Sequence, residues 1–419
     1  MARGINSASL ETSEASYLVD EAELVRLCST SIVVSDRTGR VAELVRNAID
    51  WERVIRLAAW HAVLPLVAWY LERACRELVP ASILERLRRI FWANWLRNHQ
   101  LAGELLRILQ LFAGKGIALL AFKGPTLAVT AYGDLALRQF TDLDLLIRRS
   151  DFSAASRLLV DAGYRPRFDG RAIESGFFQA NKEVFVRDSG LRCQVDLHWL
   201  LTPRYFPFTP APEALWARCC PVELAGGSVR GLAPSDLMLV LCAHGSRHGW
   251  DQLAMVCDVA ELLRSHPEVD WRATAEQARV LGSRRMLLLG LELARTILGA
   301  ELPAGLDAPA RADSGVGPLA LAIRRKMFAA TPDSGARFQP WAVPIRTIER
   351  RRERIRYCLD RAFAPTADDG RFVRLPRALF PLYYIVRPLR LGWGLTRGQA
   401  RSLAGCGKSG SKDEIVHRW

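Results

Sequence analysis

The amino-acid sequence predicts an α+β protein, in which a small β-sheet is flanked by helical regions on its N-terminal and C-terminal sides. Apolar residues recur at helical spacing from Ile49 to Phe112 and again beyond Pro210. Between these stretches the pattern changes to short apolar runs bounded by glycine and proline, which is typical of buried strands. The length of 419 residues is enough for roughly two to three domains of ordinary size.

We therefore divide the chain into a sheet-forming core, a helical region on each side of it and two terminal segments. The predicted boundaries are 1–45 for an N-terminal extension, 46–115 for a helical region, 116–205 for the core, 206–345 for a second helical region and 346–419 for a basic C-terminal segment. The extension is only weakly periodic, so part of it is expected to be disordered.

The first helical region carries an aromatic stripe. Because the stripe follows the helical period, it is interpreted as core rather than as a platform for stacking nucleobases. Pro80 divides the region, and a helix is expected to restart at Ala81. The stripe consists of Trp60, Trp69, Phe91, Trp92 and Trp95.

The predicted core begins with an apolar run, Gly116–Phe122, that suits a buried strand. Lys123-Gly124-Pro125 ends this strand, and proline is favourable as the first residue of a helix expected over Thr126–Tyr132. A second strand is expected over Phe140–Ile147, followed by an amphipathic helix over Ser150–Gly163.

Two aspartates on the second strand, Asp142 and Asp144, are expected to point to the same side, because side chains two residues apart in a strand share a face. Adjacent carboxylates repel each other unless a cation lies between them, and hard divalent ions such as Mg²⁺ accept this oxygen geometry. Val184–Val186 and Cys193–His198 predict a β-hairpin that carries Asp196 among apolar neighbours. If this strand pairs with the strand that carries Asp142 and Asp144, the three carboxylates form the arrangement used in two-metal phosphoryl transfer.

The turn at Lys123-Gly124-Pro125 would place backbone amides and the positive end of a helix dipole at the same site, which favours phosphate binding. Gly124 would allow close approach of the backbone, and Lys123 or Arg138 could neutralise phosphate charge. Two aspartates separated by one residue are a weak signal alone, since such pairs often cap loops. The combination with the turn, Arg138 and Asp196 is what indicates a phosphoryl-transfer site.

These motifs resemble those of the bacterial uncharacterised nucleotidyltransferase family within the polymerase-β-like superfamily. The resemblance spans about residues 50–300 and includes a downstream helical signature of the form H-G-x-x-H-x-W…D. The matching segments, in chain order, are Phe122-Lys123-Gly124-Pro125, Tyr132, Arg138, Phe140–Ile147, Val195–Trp199 and His244–Trp250 with Leu253 and Asp258.

The resemblance implies transfer of a nucleoside monophosphate from an NTP to a hydroxyl-bearing acceptor, with release of pyrophosphate. It implies that Asp142, Asp144 and Asp196 bind Mg²⁺, or alternatively Mn²⁺. It further implies that Lys123, Gly124 and Arg138 bind the nucleotide phosphates, and that the fold is a small mixed sheet flanked by helices.

The acceptor stays open among small molecules, peptides or proteins, and RNA. The Lys-Gly turn also resembles that of abortive-infection-type toxin nucleotidyltransferases, whose acceptors can be tRNA or protein. The wider superfamily usually has Gly-Gly or Gly-Ser where this chain has Gly124-Pro125, which removes one amide donor. An alternative hypothesis is therefore an inactive module of the same fold that binds nucleotide, RNA or an anionic surface.

Three histidines are candidates for a supporting or acceptor-binding role. His198 follows Asp196 by two residues, so it is expected on the same side of the strand, orienting a ligand or carboxylate or forming a half-buried structural hydrogen bond. His244 and His248 are four apart on a predicted helix and share a face. Gly245 stands where a zinc protease has glutamate, so a structural role or acceptor contact is favoured over metal binding.

The net charge of +14 is concentrated at the C-terminus, where residues 346–419 contain seventeen Lys and Arg against seven Asp and Glu. This excess indicates either an anionic partner, such as nucleic acid or acidic lipid, or an arginine-rich solvated surface. The apolar segment Ala378–Val386 is too short to span a bilayer; we favour docking onto the helical regions over binding to a membrane surface.

The expected location is the cytoplasm. The first 25 residues contain no apolar segment of the kind found in signal peptides, and we predict no transmembrane span because no apolar run reaches ~20 residues. Nine scattered cysteines without a C-x-x-C pair fit reduced thiols better than a disulfide framework.

Overall fold

The computed structural model describes residues 19–47, 49–167, 180–224, 226–303, 305–306, 312–329 and 342–403. Residues 1–18 of the expected N-terminal extension and residues 404–419 of the basic segment lie outside the described residues, as do parts of the second helical region. The described residues form one mixed sheet with helices before and after it along the chain, which confirms the predicted α+β class.

Helices dominate the chain before the sheet. The predicted break at Pro80 is confirmed, because the longest helix starts at Ala81. The helices of this part are Asp20–Leu27 (α1), Ser35–Arg46 (α2), Trp51–Trp60 (α3), Leu64–Ala74 (α4) and Ala81–Ala113 (α5), with a short 3-10 helix at Arg76–Leu78.

The aromatic stripe of this region is less buried than its period predicted. Trp92 is 59% exposed, so its assignment to the core is wrong. Trp69 and Phe91 are half-buried and pack against the core, while Trp60 and Trp95 are also half-buried. On α5, Trp92 is two residues from the buried Ile90 and Asn94, about 200° around the helix from each, so it points to solvent.

One seven-stranded sheet forms the centre of the site-bearing part, with strand order β3-β4-β5-β2-β1-β7-β6. β2 runs parallel to β5 and antiparallel to β1, and β4 pairs with β5 as the predicted hairpin. The strands are Leu120–Ala121 (β1), Asp142–Leu146 (β2), Arg165–Pro166 (β3), Lys182–Arg187 (β4), Cys193–His198 (β5), Cys220–Leu224 (β6) and Gly227–Gly231 (β7).

Two helices connect these strands, Pro125–Tyr132 (α6) after β1 and Phe152–Asp161 (α7) after β2, with a short 3-10 helix at Arg149–Asp151. Both helices were expected. The sheet has its own apolar core, to which Leu143, Leu145 and Val195 contribute from the face opposite the aspartates. This alternation explains why the strands turn their carboxylates to one side.

The expectation that the chain is helical beyond Pro210 is wrong for one segment. β6 and β7 form a hairpin, and β7 pairs with β1 in parallel at Ala121 and Gly231. Gly231 has room for no side chain there, because an added Cβ would lie 2.7 Å from Cγ2 of Val222. The sheet therefore extends past residue 205, where the predicted core ended.

The remaining helices on this side are Pro212–Arg218 (α8), Pro234–His248 (α9), Leu253–Ser265 (α10), Trp271–Val280 (α11), Arg284–Leu298 (α12), Val316–Ala329 (α13) and Ala342–Thr347 (α14). α9 ends at Gly249, which has the left-handed φ of 72°. Trp250 then folds back against Gly245, where an added Cβ would lie 2.6 Å from the indole ring. Gly245 thus allows the buried tryptophan to pack against α9.

The two predicted helical regions form one body rather than two separate flanks. Arg26 donates to the carbonyl of Ile297 (2.5 Å), and the N–H of Ala254 donates to the carbonyl of His61 (3.1 Å). Buried apolar residues from α1 to the first half of α5 belong to the same core cluster as those of α9 to α14. The sheet packs beside this body, and the cleft described below lies between them.

The basic C-terminal segment is helical, with α-helices Arg351–Phe363 (α15), Ala367–Phe372 (α16) and Tyr383–Leu403 (α17) and a 3-10 helix at Arg377–Leu382. The favoured docking of Ala378–Val386 is only partly correct: Tyr383 is buried, whereas Leu379 and Ile385 are 45% and 59% exposed. Among the residues that the structure describes, no helix combines the length and apolar character needed to cross a membrane.

Candidate functional site

A cleft of about 420 Å³ lies between the ends of β2 and β5, the turn after β1, and α9. All nine residues singled out from the sequence line it, although they come from four separate parts of the chain. They are Lys123, Gly124, Arg138, Asp142, Asp144, Asp196, His198, His244 and His248. The fold therefore brings the predicted candidates together.

The acidic wall of the cleft is formed by two parallel strands. Asp144 on β2 lies directly opposite Asp196 on β5, and both are buried. Asp142 is two residues earlier on β2 and half-buried. An oxygen of Asp144, an oxygen of Asp196 and a ring nitrogen of His198 all lie within 4.8 Å of one another. This spacing is compatible with a shared metal ion.

The negative charges of these carboxylates lie close enough together to change their pKa values. Burial, together with the negative charges of Asp144 and Asp196, raises the pKa of Asp142 to about 7. Burial opposes ionisation of Asp144 as well, but Lys123 and His198 hold its pKa below the ordinary value. One carboxyl of the group is thus unfavourable in its charged form, a penalty that a bound cation would remove.

His198 is held between Asp144 and the backbone after β5. Its Nε2 lies 3.0 Å from Oδ1 of Asp144, and its Nδ1 lies 3.3 Å from the carbonyl of Leu200 and 3.4 Å from Nδ2 of Asn181. Burial lowers the pKa of His198, so the ring is neutral. With its proton on Nε2 it orients Asp144; with its proton on Nδ1 it donates to Leu200 and leaves Nε2 for a ligand.

Lys182 is a site residue that sequence reasoning missed. Its ammonium contacts Oδ2 of Asp196, whose other oxygen accepts from Nε2 of Gln194 at 3.0 Å. Lys182 lies opposite His198 in the β4–β5 register. Counting residues back from the Asp188-Ser189-Gly190 turn between the two predicted strands would have placed it there, because Arg187 pairs with Cys193 and the register then fixes every earlier pair.

The turn after β1 has the predicted form. Gly124 adopts φ 56° and ψ −125°, which strongly favours glycine, and Pro125 begins α6. An added Cβ on Gly124 would lie 3.0 Å from the carbonyl oxygen of Asp142. The glycine therefore lets the turn pass close against the strand that carries the aspartates, with the first-turn amides of α6 at the cleft.

Lys123 and His244 form a contact across the cleft. Nζ of Lys123 lies 2.9 Å from Nδ1 of His244. Burial lowers the pKa of the Lys123 ammonium, and it lowers the pKa of the His244 imidazole to well below the ordinary value. Asp144 opposes the decrease for Lys123. A neutral His244 accepts a hydrogen bond from the Lys123 ammonium, so the histidine positions the lysine rather than providing a free ligand.

Arg138 is bound to a carboxylate outside the acidic wall. Its Nε donates to Oδ1 of Asp258 at 2.8 Å and its Nη2 to Oδ2 at 3.0 Å, and the hydroxyl of Tyr132 donates to Oδ1 at 2.8 Å. Asp258 is the last residue of the downstream signature, and its role is thereby explained. This pair uses two of the five N–H donors of the guanidinium group. The predicted phosphate contact would therefore use the other donors, which include both N–H groups of Nη1.

His248 lies at the exposed end of α9. Its Nε2 accepts from Nη2 of Arg247 at 2.9 Å, and its ring centroid is 4.4 Å from that of His244. Arg247 also lines the cleft and was quoted in the sequence only as part of the signature. Its Nε is buried without a hydrogen-bond partner among the described atoms. Arg247 is therefore a further cationic group for an anionic ligand, besides Lys123, Arg138 and Lys182.

The donor set fits a divalent ion. Three carboxylates in one wall supply the oxygen ligands that Mg²⁺ and Mn²⁺ prefer, and the imidazole of His198 is a nitrogen donor that Mn²⁺ tolerates better than Mg²⁺. The unfavourable ionisation of Asp142 is the independent sign that positive charge is missing from this wall. Asp144, Asp196 and His198 are the side chains whose ligand atoms converge and would hold the ion, while Asp142, two residues earlier on β2, lies outside that group and would be a further carboxylate ligand.

Two comparisons with known proteins bear on this site. A family model described as "Uncharacterised nucleotidyltransferase" matches residues 47–299, which is more than half of the chain. No curated protein matches. The matched range includes all nine predicted site residues and the Arg138–Asp258 pair.

Proposed function

We propose that this chain, which belongs to the uncharacterised nucleotidyltransferase family, transfers a nucleoside monophosphate from an NTP to an acceptor hydroxyl in a reaction that requires a divalent ion. The observation that carries the proposal is the acidic wall, in which Asp142, Asp144 and Asp196 crowd together on adjacent parallel strands. Buried carboxylates in such numbers are unfavourable without a cation, so their presence in a cleft indicates metal-assisted chemistry.

The ion would be Mg²⁺ or Mn²⁺, held by these carboxylates. When bound, it would neutralise phosphate charge and lower the pKa of the attacking hydroxyl. The remaining contribution of the protein is positioning and electrostatic stabilisation, which are the main requirements of phosphoryl-group transfer.

The opposite side of the cleft supplies the positive charge. Lys123 is fixed by His244, and the first-turn amides of α6 lie beside it, so the triphosphate would bind at this turn. Lys182 and Arg247 would contact phosphate oxygens from two further directions. Arg138 would contribute through the donors that Asp258 leaves available, and chiefly fixes the loop before β2.

The acceptor is proposed only as a hydroxyl-bearing small molecule, peptide or protein, or RNA. His198 would keep Asp144 oriented toward the ion, and His248 at the open end of the cleft is the best placed of the histidines for acceptor contact. His248 lines the cleft and is exposed at the end of α9, so the acceptor would approach from this side.

A second candidate is an inactive module that binds nucleotide without transfer. It is favoured by Pro125, which removes an amide from the phosphate-binding turn, and by the commitment of Arg138 to Asp258. Both hypotheses require the same cleft, and they differ in whether the bond between the α- and β-phosphates is broken.

Isotopic labelling of the donor distinguishes them. Each NTP, labelled with ³²P at the α-position or at the γ-position, is incubated with the protein, Mg²⁺ or Mn²⁺, and fractionated small molecules, protein and RNA from a bacterial extract. We expect label from the α-position to appear in one fraction and label from the γ-position only in pyrophosphate, with a chelator abolishing both. Transfer of γ-label would contradict the proposal, and NTP binding without any transfer would favour the inactive module.

A further inference from the structure

The basic C-terminal unit, defined as residues 351–393, carries an unusual concentration of exposed apolar side chains. Of the twenty-one large hydrophobic residues that are exposed in the described part of the chain, twelve lie in this unit. A surface patch of this kind on a folded protein generally marks a binding surface. The twelve are Ile355, Leu359, Phe363, Phe372, Val373, Leu379, Leu382, Tyr384, Ile385, Leu389, Leu391 and Trp393.

On α15 these residues form one stripe. Ile355, Leu359 and Phe363 are spaced four apart and are 62%, 54% and 48% exposed, so they follow a single helical face. Arg351 and Arg352 precede Ile355 by four and three residues and continue the same face. The helix is therefore amphipathic in an inverted sense: its apolar stripe faces solvent, while Tyr357 is buried against the rest of the protein.

α17 has a corresponding stripe at its start. Ile385, Leu389 and Trp393 are again four apart and are 59%, 67% and 58% exposed. On another face of the same helix, Arg387 is buried and donates to the carbonyl of Arg361 and to Asp369, which fixes α17 against α15 and α16. The exposed stripe is thus a property of the packed unit and not of a detached tail.

The charge of the unit is positive. Residues 351–393 contain ten arginines and four acidic residues. Glu353 is paired with Arg350, Asp360 with Arg356, and Asp369 with both Arg387 and Arg390. Asp368 is the exposed acidic residue of the unit, and it is outnumbered by the exposed arginines Arg351, Arg352, Arg361 and Arg374, so the surface presents a net excess of arginine around its apolar stripes.

We propose that this unit binds the surface of a bilayer that contains anionic phospholipids. Arginine would pair with the lipid phosphates, and the aliphatic and aromatic side chains would enter the boundary between headgroups and acyl chains, where tryptophan and tyrosine are favoured. The lack of a helix able to span a membrane, among the described residues, is consistent with a helix pair lying on the surface.

The chemistry of the patch favours lipid over two other partners. Nucleic acid phosphates would pair with the arginines. They would not bury the exposed isoleucine and leucine side chains, because a phosphate backbone has no apolar surface to pack against them. A second copy of the chain would bring two arginine-rich surfaces together, and like charges repel at close range. Neither accounts for apolar stripes and positive charge on the same unit.

Binding at this unit would fix the whole protein on the bilayer. Tyr357 packs against Phe206, with ring centroids 6.3 Å apart, and the guanidinium of Arg361 lies 5.6 Å from the ring centre of Tyr205. These contacts join the unit to the region directly after β5. This inference is independent of nucleotidyl transfer, since lipid binding requires none of the residues in the cleft.

Vesicle flotation of the full chain tests the proposal. Vesicles of phosphatidylcholine alone are compared with vesicles in which about a third of the lipid is phosphatidylglycerol. The test variant is Ile355→Asp with Leu389→Asp, and the matched control is Leu96→Asp with Val280→Asp, which changes two equally exposed apolar residues elsewhere by the same charge. Thermal melts of both variants confirm that each is folded.

We expect wild type to float with the phosphatidylglycerol vesicles only, and less so as salt is raised. The test variant should lose about tenfold or more of this affinity, while the control keeps it. Failure of wild type to float, equal flotation with neutral vesicles, or equal loss in the control would overturn the proposal. RNA binding that is unaffected by Ile355→Asp with Leu389→Asp, without flotation, would instead identify a nucleic-acid surface. A dimer that this variant dissociates, without flotation, would identify self-association.

Discussion

Two groups of buried carboxylates lie near the cleft, and they are neutralised in opposite ways. Asp258 has both oxygens bound by Arg138 and a further hydrogen bond from Tyr132, so its charge is fully compensated within the protein. Asp142, Asp144 and Asp196 instead crowd against one another: Lys182 pairs with Asp196, and Lys123 and His198 stabilise Asp144, but Asp142 is left with an unfavourable charge and a pKa raised to about 7. A compensated carboxylate stabilises the fold, whereas an uncompensated group in a cleft is arranged for a ligand.

The largest expected difference between the groups is in activity. Asp144→Asn should reduce α-phosphate transfer by about a thousandfold or more, because an amide cannot supply the charge that holds the ion. Asp142→Asn should also abolish transfer but should not lower the melting temperature, because it relieves repulsion with Asp144 and Asp196, whereas Asp144→Asn also loses the favourable contacts with Lys123 and His198. Transfer assays and thermal melts on the same preparation measure both. Activity within tenfold of wild type would remove Asp144 from the mechanism.

The compensated group should show the reverse pattern. Asp258→Ala leaves the charge of Arg138 buried without its partner, so the free energy of unfolding should fall by roughly 3–5 kcal/mol. Urea denaturation gives this value, and Asp142→Ala is the matched comparison, for which we expect little or no loss because the charge of Asp142 is unfavourable in the folded protein. Equal destabilisation by the two substitutions would mean that both carboxylates are structural.

Buried charge should also affect stability through His61, which joins the two parts of the helical body. Burial lowers its pKa from the usual 6.5 to about 4. Between these values the unfolded chain binds the proton and the folded protein does not, so stability falls as the pH is lowered from 6.5 to about 4. The loss should reach about 3 kcal/mol and be absent in His61→Gln. Denaturation across this range measures it, and an unchanged profile in the variant would assign the effect elsewhere.

A smaller effect is expected at Lys182, whose ammonium contacts Asp196. In Lys182→Met the carboxylate is free of this contact, so Mn²⁺ should bind in the absence of nucleotide about tenfold more tightly, or ~1.4 kcal/mol. Affinity for NTP should decrease because a phosphate contact is lost. Electron paramagnetic resonance of free Mn²⁺ measures the first quantity. Weaker Mn²⁺ binding in the variant would show that Lys182 supports the ion site instead of competing with it.

The sequence predicted the acidic wall because strand alternation is a local property. Asp142 and Asp144 are separated by one residue, and the apolar neighbours of Asp196 identified its strand, so common orientation followed without knowledge of the fold. The parallel pairing of β2 with β5 needed the family resemblance, since no local pattern specifies which strands meet. The roles of the individual site residues stay predictions until they are tested by substitution.

Other contacts were not predictable because they depend on distant packing. Asp258 is 120 residues from Arg138, and nothing near either residue indicates that they pair. The hairpin β6–β7 was missed because Gly227 and Gly231 give it a weak strand pattern, and its stability comes from pairing with β1. Exposure of Trp92, by contrast, was predictable from helical period, because Trp92 lies about 200° around α5 from Ile90 and Asn94, which form the buried face.

The central claim is that the acidic wall formed by Asp142, Asp144 and Asp196 binds a divalent ion together with a nucleotide. Calorimetric titration with ATP, GTP, CTP and UTP, each with Mg²⁺ or Mn²⁺, tests it most directly. The variants are Asp142→Ala with Asp144→Ala, and a control, Asp161→Ala with Asp188→Ala, that removes two exposed aspartates elsewhere. We predict binding of at least one NTP that requires the ion, is lost in the first variant and is kept in the control. Binding that is independent of the ion and equal in all three proteins would contradict the claim.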